Sequence, residues 1–390
     1  MKPLFQTQSV LRILEIGIFL LLVVYELSLM NPKNPIIIVP HVLPFIILFF
    51  LFIHALFSNI PQKNSFFILF VFFELYIYLI AVAHSLLSSY TNSRTFFATL
   101  IMPLFLYVFS YNVSCSIKSV NVLPYIVMLV AFFFSIIFFK NNSVLTVANL
   151  FEHDGSSYMV LYLLPFLLCI RNKYVILGCC TMVLAVVFLS FKRGGLVAGI
   201  TAVLLYMIVR LFGIKEKYQK IKNIFFFLLG TLFLCYLIYF INSQYNNYIF
   251  LRFSMIEDDG GSGRIDIFKN VMDMIAQSSK FDLLFGHGLN SVLRDNFLGF
   301  SAHNDFLECI YDYGFFAFAL YVLLYVALVK YTIQLIKIES FYAAPLAASI
   351  GLFFVNSMVS HILLYNWFFM LFALFWGYVA SAEKKNLYRG

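Results

Sequence analysis

Apolar residues in this chain run in long unbroken stretches separated by short polar turns. A helix needs about 20 apolar residues to cross a bilayer. Twelve stretches approach that length: residues 10–30, 36–57, 65–89, 95–111, 122–139, 156–170, 174–190, 195–212, 223–241, 315–333, 341–360 and 362–380. They are continuous, not alternating, and about twice the length of a barrel strand. The pattern predicts an all-α integral membrane protein of about 12 transmembrane helices. The first run has no small-residue cleavage site behind it and reads as a span, not a removed leader.

The pattern breaks once, at residues 242–314, a polar segment holding ten of the 18 acidic residues. Connections of this length are usually functional or disordered. Inside it, Ile265, Phe268, Val271, Met272 and Ile275 recur at helical spacing after the Gly-Gly-Ser-Gly breaker that ends at Gly263. A second helical pattern runs from His303 towards the span at 315–333. The segment is expected to fold, with amphipathic helices at the membrane surface. The organisation is then nine spans in 1–241, a large loop in 242–314, and three spans with a tail in 315–390.

Composition excludes other classes. The chain is 63% hydrophobic and 11% charged, with mean hydropathy +0.93. A soluble globule, a disordered chain and a disulfide scaffold do not look like this. The net charge of +8 needs no nucleic acid to explain it. With the N-terminus inside, 16 of the 26 Lys and Arg residues fall on the inner side, as topology requires. Both termini are then cytoplasmic, and 242–314 faces outward. The six cysteines show neither metal nor disulfide spacing and read as small hydrophobes.

Candidate chemistry gathers on the outer side. Arg264 opens a helix after Gly263, and a guanidinium at a helix N-terminus suits an anion; the alternative is a surface pair with Asp266 or Asp258. Gly286 and Gly288 flank His287, which either touches substrate or shapes a turn. Ser301-Ala302-His303-Asn304-Asp305 starts the next helical pattern. On an ideal helix Asp305, Glu308 and Asp312 project away from His303 and read as a solvated face. That leaves His303 as a general base or an interfacial cap. Ser190-Phe191-Lys192-Arg193-Gly194-Gly195 forms a tight turn. Its cations either hold an anion at a helix N-terminus or snorkel to the interface. No metal site stands out; Asp258-Asp259 reads as solvated loop. Within the spans the ionisable residues are few: Glu15, Glu26, Glu74, His54 and His84. Glu74 reads as a helix-packing hydrogen bond.

The order of these elements resembles a known family. A turn like 190–195, then Gly263-Arg264, Phe285-Gly286-His287-Gly288, and His303-Asn304 with nine residues leading to Gly314 is similar to the superfamily of O-antigen polymerases (Wzy type) and O-antigen ligases (WaaL type). Ala317 departs from it, where many members carry Gly, Thr or Tyr. The resemblance implies a metal-independent, inverting GT-C-like glycosyltransferase without cofactor, in the bacterial inner membrane with its site facing the periplasm. It implies a donor glycan on undecaprenyl pyrophosphate, held by Arg193 and Arg264, with His303 as base or acceptor-orienting group. Lys192, Arg252, His287, Arg294 and Asn304 become supporting substrate-binding candidates. The partners implied are that lipid-linked glycan, membrane lipid and a polysaccharide chain-length regulator. The expected reaction is polymerisation of repeat units. Ligation to lipid A core is the alternative, and a lipid-linked oligosaccharide transporter is a further one.

Overall fold

The computed structural model describes residues 2–30, 39–58, 65–87, 94–116, 122–141, 156–190, 192–212, 217–244, 254, 263–363 and 365–387. Among them every regular element is an α-helix. Five long helices cover the first part: α1 (Lys2–Met30), α2 (Val39–Leu56), α3 (Ser65–Leu87), α4 (Arg94–Ser116) and α5 (Val122–Asn141). A broken pair follows, α6 (Ser156–Tyr162) and α7 (Leu164–Leu167), then α8 (Lys173–Leu189), α9 (Arg193–Phe212) and α10 (Lys217–Gln244). Three short helices come next, α11 (Arg264–Gln277), α12 (Lys280–Phe285) and α13 (Ser291–Asp295). The chain ends with α14 (Asp305–Lys337), α15 (Ala343–Val359) and α16 (Asn366–Leu387).

Five helices among the described residues are long and apolar enough to span a bilayer: those in α3, α4, α5, α9 and α14. Shorter apolar helices lie at 41–56, 157–167, 173–189 and 343–359. The protein is therefore a multi-pass membrane protein. Its outward surface fits that reading: Leu129, Phe132, Phe133 and Ile136 of α5 and Val326 and Ile333 of α14 are exposed, where lipid tails would cover them. The interior is built from aromatics. Phe66, Phe70, Phe353, Phe369 and Trp376 pack on one another, edge to face and stacked, in α3, α15 and α16. The closest helix pairings are α4 with α16, α9 with α15 and α3 with α14.

Two sequence expectations need correction. The amphipathic face of α11 is shifted: Ile267 and Val271 are buried against Val292, Ala302 and Tyr311, while Ile265 and Met272 are half exposed. Val271 and Ile275 of the expected stripe do face this cluster; Ile267 and Met274 join them in place of Ile265 and Met272. Glu74 is fully buried in α3, yet among the described residues neither carboxylate oxygen has a hydrogen-bond partner, so the expected packing hydrogen bond is not seen there.

The loop helices are joined to the bundle at one kink. Gly314, at φ 82°, breaks α14 and frees carbonyls that a straight helix would use. Tyr311 and Asp312 carbonyls accept instead from the main-chain N–H groups of His287 and Gly288, at 2.9 and 2.8 Å. Gly286 and Gly314, both at positive φ, sit at this junction. A Cβ on Gly286 would strike the main chain of Asp312, and one on Gly314 would strike that of Leu284.

Candidate functional site

The acidic residues at the start of α14 are the largest departure from the sequence reading. Asp305, Glu308 and Asp312 are 0%, 4% and 3% exposed; they are not a solvated face. Each anchors a different piece of main chain. Asp305 accepts from the N–H groups of Ile362 and Leu363, at 3.0–3.2 Å. Glu308 accepts from Ala302 at 2.7 Å. Asp312 accepts from Asn290 and Val292 at 3.0 and 2.9 Å. Helix projection locates a side chain's direction but not the loops that fold onto it, so burial by neighbouring turns was invisible in the sequence.

His303 is not on the helix at all. Asn304 is the N-cap of α14, its Oδ1 accepting from the N–H groups of Phe306 and Leu307 at 2.9 and 3.1 Å. Such a cap contributes about 1 kcal/mol. Asn304 Nδ2 also donates to the Met358 carbonyl at 3.2 Å, which ties this turn to the end of α15. His303 itself has φ 50°, a left-handed conformation that costs a non-glycine residue energy and is concentrated at functional sites. Its ring packs on the His361 ring with centroids 4.2 Å apart.

Sequence reasoning missed His361. It lies in the turn between α15 and α16 and is 2% exposed. Its Nε2 is 3.0 Å from Ser301 Oγ. Its Nδ1 is 3.3 Å from Glu308 Oε1, close enough for ion pairing but out of line for a hydrogen bond. Burial pushes its pKa down to about 4; Asp305 opposes the shift and Arg264 adds to it. The imidazole is therefore neutral near pH 7.

Arg264 begins α11 behind Gly263 at φ 76°, where the exposed N-terminal N–H groups and the guanidinium point the same way electrically. Its charge is felt at both His361 and Tyr158. Tyr158 lies on α6. The N-terminus of α9 packs there: positions for a Cβ on Gly194 and Gly195 lie 3.0 Å from Val359 and 3.3 Å from the Tyr158 ring. Those glycines let α9 approach α6 and α15 closely, and Lys192 and Arg193 at its start are partly buried.

Other candidates sit elsewhere. His287 stacks on Tyr311 with centroids 4.2 Å apart, and its Nε2 is 2.9 Å from Ser278 Oγ. Burial lowers its pKa, against Asp282 and Asp295. Arg294 binds Asp295 through two nitrogens at 2.6 and 2.7 Å. Burial alone would raise the Asp295 pKa, but the Arg294 hydrogen bonds and charge, with the Tyr311 hydroxyl, hold it below the usual range. This pair belongs to the His287 cluster through the Tyr311 hydroxyl. Arg252 lies outside the described residues, as do Asp258 and Asp259.

One donor atom each from Asp305, Glu308 and His361 falls within 4.8 Å of the others, a spacing a metal could use. Two of these donors already have work: both Asp305 oxygens and Glu308 Oε1 accept main-chain N–H groups.

The family model of the O-antigen ligase, Wzy_C, matches residues 177–322. Over those residues, less than half of the chain, it is similar to that family. The match contains Arg193, Arg264 and His303; Tyr158 and His361 lie beyond it. No curated protein and no solved structure matches the chain.

Proposed function

We propose that the protein is a polymerase of O-antigen or a related surface polysaccharide. It joins repeat units carried on undecaprenyl pyrophosphate at the periplasmic face of the bacterial inner membrane. Support for this reading comes from the His303–His361 ring contact, from the packing of the α9 N-terminus on Tyr158, and from the electrostatic influence of Arg264 on both Tyr158 and His361.

The chemistry follows from those groups. The C1–O bond to pyrophosphate breaks while the acceptor hydroxyl attacks C1 from the opposite side, inverting it. Negative charge grows on the leaving pyrophosphate, and guanidinium groups from Arg193 and Arg264 meet it with charge-assisted hydrogen bonds. The pyrophosphate is a good leaving group and needs no acid catalyst. His303 takes the acceptor's proton as attack proceeds. The twelve spans expected from the sequence, with both termini in the cytoplasm, would put residues 242–314 and the site on the side where the donor is displayed. A chain-length regulator is the expected partner.

The second reading is ligation to lipid A core, favoured by the description of the matching family; it would use the same site with a different acceptor. A deletion strain separates them on a polysaccharide gel. Polymerase loss leaves core carrying one repeat unit. Ligase loss leaves bare core, with polymer accumulating on undecaprenyl pyrophosphate. An unchanged ladder sinks both for this polysaccharide and returns the transporter.

A further inference from the structure

His303 is held from both sides along the chain. Ser301 Oγ lies 3.0 Å from His361 Nε2, and the Ala302 N–H donates to Glu308 at 2.7 Å. On the other side Asn304 caps α14 and donates to the Met358 carbonyl. Between these ties the His303 backbone takes its left-handed conformation. Its ring then lies on His361, tilted by 39°.

The partner of that ring is specific in its chemistry. A phenyl group could fill the space under His303, but it could not reach Ser301 and Glu308 from opposite edges. His361 does both, with Nε2 and Nδ1. A proton on Nδ1 faces the Glu308 carboxyl at 3.3 Å as an electrostatic contact and leaves Nε2 to accept from the Ser301 hydroxyl. The turn after α15 is itself fixed, because Asp305 holds the next two main-chain N–H groups.

We propose that His361 is a positioning residue for glycosyl transfer: bridged between Ser301 and Glu308, it sets the main-chain and ring position of His303. This rests on His303 being the group that takes the acceptor's proton. His361 does not touch substrate in this account; it acts through His303.

Steady-state kinetics of the purified full-length protein in nanodiscs, with a synthetic polyprenyl-pyrophosphate oligosaccharide, test it. His361→Ala should lower kcat roughly 100-fold, as misplacement of a reacting group by about an ångström does. The donor KM should stay within about twofold, since the arginines that hold the donor remain. His361→Phe keeps a ring but loses both edges, and should remain about tenfold below wild type. Ser301→Ala, which leaves the imidazole in place, should lower kcat about fivefold without a change in donor KM. If His361→Ala fails to fold, Ser301→Ala and His361→Phe decide. Wild-type kcat in both variants, with His303→Ala inactive, overturns the positioning role alone. Full kcat in His303→Ala would instead overturn the reading of the site.

Discussion

Asp305 accepts the main-chain N–H of Ile362 at 3.0 Å, joining the first turn of α14 to the turn that carries His361. Fifty-seven residues separate the two in sequence. The ring contact between His303 and His361 depends on this link, because each residue sits beside one of its ends. A fully buried carboxylate that accepts several main-chain N–H groups is a structural tie. Replacing Asp305 by Ala leaves the N–H groups of Ile362 and Leu363 without their acceptor, at about 1–3 kcal/mol each. The thermal midpoint in detergent should fall clearly, and more than for Asp266→Ala on the exposed face of α11.

Asp312 makes the same kind of tie to a different loop, through Asn290 and Val292. Asp312→Ala should destabilise by about 2–5 kcal/mol, the sum expected for two orphaned donors. Limited proteolysis should then cut first within residues 286–296. Cleavage unchanged from wild type would show that the loop holds without it.

Gly314→Ala tests the kink. A Cβ there would meet the Leu284 main chain, and positive φ alone costs a non-glycine residue about 1–3 kcal/mol. Low yield or a lowered thermal midpoint is expected. A wild-type midpoint would mean that α12 can move away from α14.

His361 sets a pH dependence. Its folded pKa, about 4, lies below the ordinary 6.5, so folding favours the neutral ring. That contribution is complete above about pH 6.5 and shrinks as pH falls, because the unfolded chain takes up a proton that the folded chain refuses. It levels off below about pH 4. The thermal midpoint should drop between pH 7 and pH 4.5, and His361→Gln should flatten that drop. An equal drop in the variant would assign the dependence to other groups.

Chelation should leave activity intact. Asp305, Glu308 and His361 have metal-like spacing, but main-chain donors use the carboxylate oxygens. Turnover in EDTA equal to that in buffer is the expected result. Loss with rescue by Mg²⁺ would put an ion in this cluster.

Much of this was legible in the sequence. Long apolar runs announced a helical membrane protein, and Gly263-Arg264, His287 between glycines and His303-Asn304 marked the loop. The glycines do sit at positive φ, and the helix cap expected at His303 is Asn304, one residue on. Two contributors to the site were not legible. Tyr158 looks like one more aromatic in an apolar run, and His361 falls in the short gap between the last two apolar stretches. Their roles come from helices α6, α9 and α15 closing on one another, which no local pattern encodes. The burial of Asp305, Glu308 and Asp312 was hidden for the same reason: the N–H groups they accept lie 57 and 58 residues downstream for Asp305, six upstream for Glu308, and 20 and 22 upstream for Asp312.

The central claim is that Arg193, Arg264 and His303 form one site for glycosyl transfer. Purified wild-type protein given polyprenyl-pyrophosphate repeat units should produce a ladder of longer lipid-linked glycans. Arg193→Ala, Arg264→Ala and His303→Ala, each folded and present at wild-type levels, should each lower its formation by about 100-fold or more. A full-length ladder from His303→Ala or Arg264→Ala would contradict the account.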